Sequence, residues 1–96
     1  MLENLRRIVL DVLKPHEPNI IDMAQEVANM DGVEGVNITL YEIDHHVENA
    51  KITVEGNGLE FEDLKILLEK NGAAIHSIDE VAAGKSIIED VVTHQD

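Results

Sequence analysis

A single α+β domain of order β-α-β-β-α-β is predicted by three features of this 96-residue chain. Apolar residues alternate with polar ones in several short segments, the pattern of half-buried strands, and recur at steps of three and four in two others, the pattern of amphipathic helices. Each helical segment also ends at a glycine that leads into a strand, in the matching blocks Met30-Asp31-Gly32-Val33 and Lys70-Asn71-Gly72-Ala73.

The first strand is predicted over Leu5 to Leu13, where Ile8, Leu10 and Val12 make one apolar face and Val9, Asp11 and Leu13 a mixed one. Pro15 and Pro18 forbid continuation. Asn19, with Asp22 three positions on, forms a capping pair that opens a helix carrying Ile20, Met23, Ala24, Val27 and Met30 on one face. It should end between Asn29 and Asp31. Val36, Ile38 and Leu40 then alternate with Asn37, Thr39 and Tyr41 in a second strand with room to run to Ile43. The polar turn from Asp44 to Glu48 joins it as a hairpin to a third strand, Asn49 to Glu55, in which Ile52 and Val54 face one way. Gly56-Asn57-Gly58 breaks that strand. Phe61, Leu64, Leu67 and Leu68 stripe a second helix over Glu60 to Asn71. The fourth strand, from Ala73 or Ala74 to about Gly84, carries Ile75, Ile78 and Val81 three apart rather than two, which predicts a bulge near Ser77.

This order describes a ferredoxin-like βαββαβ sandwich, with a four-stranded antiparallel sheet and both helices on one face. Residues 1–96 make one domain, with about two-thirds of the unfolded chain's surface buried on folding. The uncovered face would carry Val9, Asp11, Leu13, Thr39, Tyr41, Lys51 and Thr53. The tail from Lys85, with Ile87, Ile88, Val91 and Val92, is too apolar to hang in solvent. It is expected on the chain's own sheet or on a neighbouring subunit.

Charge and composition exclude several classes of function. Seven basic against twenty acidic residues leave a net charge of −13. Nucleic acid and anionic membrane surfaces, which need clustered Lys and Arg, are therefore not expected partners. Tyr41 and Phe61 are the only aromatics, too few for the base-stacking sheet of an RNA-recognition module. The chain has no cysteine, which removes thiolate catalysis and the paired cysteines of metal chaperones with this topology. Consecutive apolar residues never exceed three, so neither a signal peptide nor a membrane span is read, and a cytoplasmic protein is expected.

The strongest ligand cluster is Glu42-Ile43-Asp44-His45-His46-Val47-Glu48, which gathers carboxylates and imidazoles at the hairpin. Carboxylate oxygens suit Ca²⁺, and imidazoles suit Zn²⁺ or Ni²⁺. Glu42, Asp44, His45, His46 and Glu48, with Asp11 in the middle of the first strand, are the candidate metal ligands. A solvated turn is the plain alternative for the hairpin, and an ion pair with Lys51 or a hydrogen bond to Thr53 for Asp11. His16-Glu17 between two prolines reads as a rigid turn. His76, Ser77 and Asp79 would be catalytic only if a base reached the Ser77 hydroxyl. Gly56-Asn57-Gly58 is no phosphate loop, because Glu60, Glu62 and Asp63 fill the following helical turn with negative charge.

Three blocks taken in order, Leu10 to Pro18, Gly32 to Leu40 and Ile75 to Gly84, together with the terminal Gln95-Asp96, resemble the archaeal uncharacterised family catalogued as domain of unknown function 211. The resemblance covers nearly the whole chain. It implies a small cytoplasmic protein with a ferredoxin-like fold, a closed homo-oligomer of the ring type, and association with calcium among relatives. It assigns no metal ligand residue by residue.

The expected function is accordingly a non-enzymatic, self-assembling acidic domain that binds calcium, another divalent cation or a small ligand at acidic loops or subunit interfaces. A small-ligand regulatory domain of the amino-acid-sensing type is the alternative. A small hydrolase-like enzyme would need two of Asp11, His16 and His76 to converge.

Overall fold

A computed structural model describes residues 4–90. The order is β1 (Leu5–Lys14), α1 (Ile20–Ala28), β2 (Val33–Ile43), β3 (Glu48–Gly56), α2 (Phe61–Lys70) and β4 (Ala74–Ala83). All four strands join one antiparallel sheet in the order β2-β3-β1-β4, the ferredoxin-like arrangement read from the sequence. The strands run a little further than the alternation alone indicated: β1 takes in Lys14, β2 starts at Val33, and β3 starts at Glu48.

Register explains which residues make the core. Three apolar rows cross the whole sheet on its helix-covered side: Val36-Val54-Ile8-Val81, Ile38-Ile52-Leu10-Ile78 and Leu40-Ala50-Val12-Ile75. Met23 and Val27 of α1 and Leu64 and Leu68 of α2 close over the centre of these rows, where Leu10, Val12 and Ile52 are fully buried. The cover thins toward the edge, so Ile78 and Val81 on β4 stay more than half exposed.

The three-residue spacing in β4 has the cause expected of it. Opposite β1, the strand takes an extra residue at Asp79 and again at His76, on either side of Ser77. Each bulge turns the following side chain over. Ile75, Ile78 and Val81 therefore share one face although they stand three apart.

α1 opens on the Asn19 side chain, whose Oδ1 accepts the Asp22 N–H at 2.9 Å. Glu60 makes no such bond at the start of α2, where Glu62 and Asp63 instead meet the positive end of the helix dipole. Gly32 and Gly72 adopt φ +84° and +83° where the chain leaves each helix, the left-handed conformation that a side chain disfavours. A Cβ on Gly56 would run into the Gly32 carbonyl oxygen, which also accepts the Asn57 N–H at 2.9 Å. The turn after α1 and the end of β3 thus meet backbone to backbone.

The start of the tail folds back along its own chain. The Gly84 N–H donates to the Asn4 carbonyl at 2.7 Å, and both carboxylate oxygens of Glu89 accept from Arg7, at 2.8 and 2.9 Å. Of the apolar stripe, Ile87 is half-buried and Ile88 is 76% exposed. Val91 and Val92 lie outside the described residues.

Candidate functional site

The sheet face opposite the helices carries three polar rows, set by the same register: Gly35-Glu55-Arg7-Ala82, Asn37-Thr53-Val9-Glu80 and Thr39-Lys51-Asp11-Ser77. The first row is clamped by charge. Arg7 donates from Nε to Glu55 (2.7 Å) and from Nη1 to Glu80 (2.9 Å), in addition to its pair with Glu89. Three carboxylates around one guanidinium hold its pKa above the usual arginine value, Glu89 contributing most.

The third row is the open one. Asp11, Thr39, Tyr41, Lys51 and Asp79 line a depression of 320 Å³. Lys51 stands opposite Asp11 in register, yet no ion pair joins them among the described residues; Asp11 Oδ1 instead accepts the Tyr41 hydroxyl proton. Tyr41 is 54% exposed and stands at the extra residue of β2, between Leu40 and Glu42. The hydrogen bond to Asp11, aided by that carboxylate's charge, raises the phenol pKa and keeps the hydroxyl a donor. Ser77 donates to Asp79 at 2.7 Å. The depression therefore offers an ammonium, a phenol and two carboxylates on one accessible surface.

The hairpin residues are differently placed. Asp44 Oδ1 accepts the backbone N–H groups of His46 (2.8 Å) and Val47 (2.9 Å), a side-chain-capped turn. Those two bonds, Val47 first, depress the Asp44 pKa. The rings of His45 and His46 stand 6.4 Å apart at 57° to one another, and Glu42 is exposed beside them.

Glu48 turns inward. Its Oε1 accepts from Lys14 Nζ at 2.7 Å and its Oε2 from His16 Nδ1 at 2.8 Å. Lys14 is fully buried and donates a second bond to the Pro15 carbonyl at 2.6 Å. His16 Nε2 lies 2.9 Å from the His45 carbonyl oxygen. His16 and then Lys14 hold the Glu48 carboxyl below the ordinary glutamate range. Both Glu48 oxygens thus accept from the chain's own side chains.

Of the six candidate ligands, Asp11 lies on the open face and the other five lie in or beside the hairpin. No group of three His, Asp or Glu side chains is set to hold a metal among the described residues. No hydrogen bond links any two of Asp11, His16 and His76, and Ser77 is bonded to Asp79.

Sequence reading passed over Lys14, Tyr41 and Arg7 as functional groups. Lys14 was accessible to it: at an even position it continues the Ile8, Leu10, Val12 parity into the core.

Among the described residues no helix is long and apolar enough to cross a membrane. The family profile of domain of unknown function 211, described as uncharacterized ArCR, matches residues 6–96. An uncharacterized protein of Methanocaldococcus jannaschii is 56% identical over 95 residues, which span 99% of this chain and 98% of the relative.

Proposed function

The chain belongs to the domain of unknown function 211 family, and we propose that it is a non-enzymatic, self-assembling acidic domain of the cytoplasm that holds a divalent cation or small ligand on its open sheet face. The observation that carries this reading is the depression at Asp11, Thr39, Tyr41, Lys51 and Asp79, which lies on the face the helices leave uncovered. The described part of the tail is tied to Arg7, one end of that face, and Asp11 lies two rows away.

A chain with a net charge of −13 concentrates cations at its surface, and Asp11 and Asp79 put two carboxylates beside the Tyr41 oxygen, the hard-donor chemistry that Ca²⁺ prefers. The hairpin is the weaker place for a cation, because both oxygens of Glu48 are already satisfied internally. A closed homo-oligomer would cover the face and complete the ligand shell from a second copy.

Lys51 in the same depression favours a second reading, a regulatory domain for a small zwitterion whose ammonium meets Asp11 or Asp79 and whose carboxylate meets Lys51.

Native mass spectrometry separates the two readings, on untagged protein purified without chelator and examined again after EDTA and after added Ca²⁺. A discrete oligomer with stoichiometric cation, lost in Asp11→Asn, is the expected result. A metal-free oligomer would move the proposal to the zwitterion, and a metal-free monomer would overturn both.

A further inference from the structure

The two borders of the sheet are unlike. β4 is bulged on both sides of Ser77, whereas β2 pairs evenly with β3 from Gly35 to Leu40, six residues without an irregularity. In a border strand every second residue aims its N–H and C=O away from the sheet. Among the described residues no further backbone bond reaches those groups between Gly35 and Leu40. Over this run β2 has no proline and no charged side chain. Its acids, Glu34 and Glu42, stand where the pairing shifts at either end.

The layer above this border is apolar too. Val36, Ile38 and Leu40 point under α1 and stay half-buried. Glu26 accepts from Asn71, the C-cap of α2, at 3.2 Å, so that flank of α1 faces inward over the sheet. On the opposite flank Ile21, Ala24 and Ala28 recur at steps of three and four and overhang β2. Ile21 is 66% exposed, and the two alanines let a second helix come close.

We propose that this border is a self-pairing seam, at which two copies of the chain join β2 to β2, antiparallel, with α1 packed against α1. A second copy fits because the surface is complementary to itself. With Asn37 on the two-fold axis, Val36 of each copy stands opposite Ile38 of the other and Gly35 opposite Thr39. The apolar layer then continues across the seam, and the helices of both copies share one side. Glu34 falls beside Leu40. Moving the axis to Ile38 would set Glu34 against Glu42, and placing it between two residues would turn the second copy's helices to the other side. Charge and layer together thus select one register. At ~3.4 Å per residue the seam is about 20 Å long, the small end of specific interfaces, so the dimer forms reversibly.

The inference rests on the self-assembly in the reading above and not on its cation, and it adds a contact separate from the open face. Two chains of net charge −13 repel, while the paired run itself holds no charged side chain. Association should therefore strengthen with salt, by about tenfold or more between roughly 0.01 M and 1 M, as the Debye length falls from ~30 to ~3 Å. A contact made by ion pairs would respond in the reverse sense.

The test is sedimentation velocity over a range of protein concentration and salt, with hydrogen exchange at the amides of Gly35 to Leu40. Every second amide in that run should gain protection as the dimer forms. Asn37→Glu sets two carboxylates face to face on the axis, while the Thr39 hydroxyl, which donates to Asn37 Oδ1 at 2.9 Å, keeps an acceptor. It should weaken the dimer by about tenfold or more. Ile21→Glu should do the same, and Ile66→Glu, an equal change at an exposed isoleucine of α2, should have little effect. A monomer at every concentration and salt would overturn the seam, as would an oligomer that Asn37→Glu leaves intact and whose Gly35 to Leu40 amides stay unprotected. The second result would spare the open-face reading, whereas a seam dimer that takes up no Ca²⁺ would support the seam and overturn only the cation. Exchange in the wild type stands alone should a variant fold poorly.

Discussion

Arg7 and Lys14 occupy opposite ends of one strand, and both are held by glutamates, yet they teach opposite lessons about charge. An odd separation along β1 puts them on opposite faces of the sheet. Arg7 emerges on the open face, where solvent reaches the three carboxylates it gathers, with side-chain exposures of 43%, 40% and 69%. Lys14 enters the helix-covered face with no exposure and has a single carboxylate. Number of partners is thus a poor guide to energetic weight. Exposed pairs are screened and contribute little, whereas a buried ammonium that loses its partner is left with nothing to replace its hydration.

The largest effect should follow from breaking the buried pair. Lys14→Ala is expected to lower the unfolding free energy by about 3–5 kcal/mol in urea titrations, because it opens a cavity and removes a cation from Glu48. Lys14→Met keeps most of the volume but takes the same cation from Glu48, so it should retain the charge penalty and cost less than Lys14→Ala only by the cavity. Equal losses in the two variants would show that the charge, and not the packing around it, dominates at this end of the strand.

Arg7→Gln should cost less than Lys14→Ala and should behave differently with salt. Without the guanidinium, Glu55, Glu80 and Glu89 repel one another, and roughly 1 M salt, with a Debye length of ~3 Å, should remove most of the penalty. A salt-insensitive loss would place the Arg7 cluster in the same class as Lys14.

Acid should loosen both ends, since Arg7 holds the Glu89 carboxyl below its ordinary range as well. Asp44 and Glu48 have folded pKa values below their unfolded ones, so the stability they add is complete above the unfolded carboxylate range and is lost as pH falls through the folded values. His16 has the opposite sign, its contribution fading as pH rises through a raised value. The Glu48 end should therefore be firmest between these limits, which pH-dependent hydrogen exchange reads directly. Smaller still, Asp11→Asn should bring the Tyr41 phenol back toward its ordinary value of about 10, seen as tyrosinate absorbance. Least of all, Glu89→Gln should leave the urea midpoint unchanged and speed proteolysis beyond Gly84.

The comparison also shows where sequence reading stops. Element order, the helix-facing rows and the irregularity at Ser77 were all written in the spacing of Ile, Val and Leu, because burial enforces that spacing. Lys14 and Glu48 obey the same parity, one residue beyond the predicted ends of their strands. A charged residue after a run of apolar ones reads as the start of a loop, so the alternation alone ends β1 at Leu13 and starts β3 at Asn49. Hairpin composition drew attention to Asp44, His45 and His46 as ligands, whereas the backbone uses Asp44 to close the turn. The alternation sets Tyr41 and Asp11 on one face, but it does not announce the hydrogen bond between them or the extra residue in β2 at Tyr41. Contacts that span non-neighbouring strands need register, and register is only partly local.

The paired bulges of β4 bear on solubility as well as on side-chain phase. A strand at the border of a sheet offers unpaired backbone donors and acceptors to any extended chain that passes, and a straight apolar border is a template for aggregation. β4 is such a border, with Ile78 and Val81 uncovered beside it. The extra residues at His76 and Asp79 interrupt its hydrogen-bonding rhythm twice within four positions and set a titratable side chain at each interruption. An incoming strand would find no long even ladder there, so the irregularity that brings three isoleucine and valine side chains onto the core face also makes the border a poor seed for fibres.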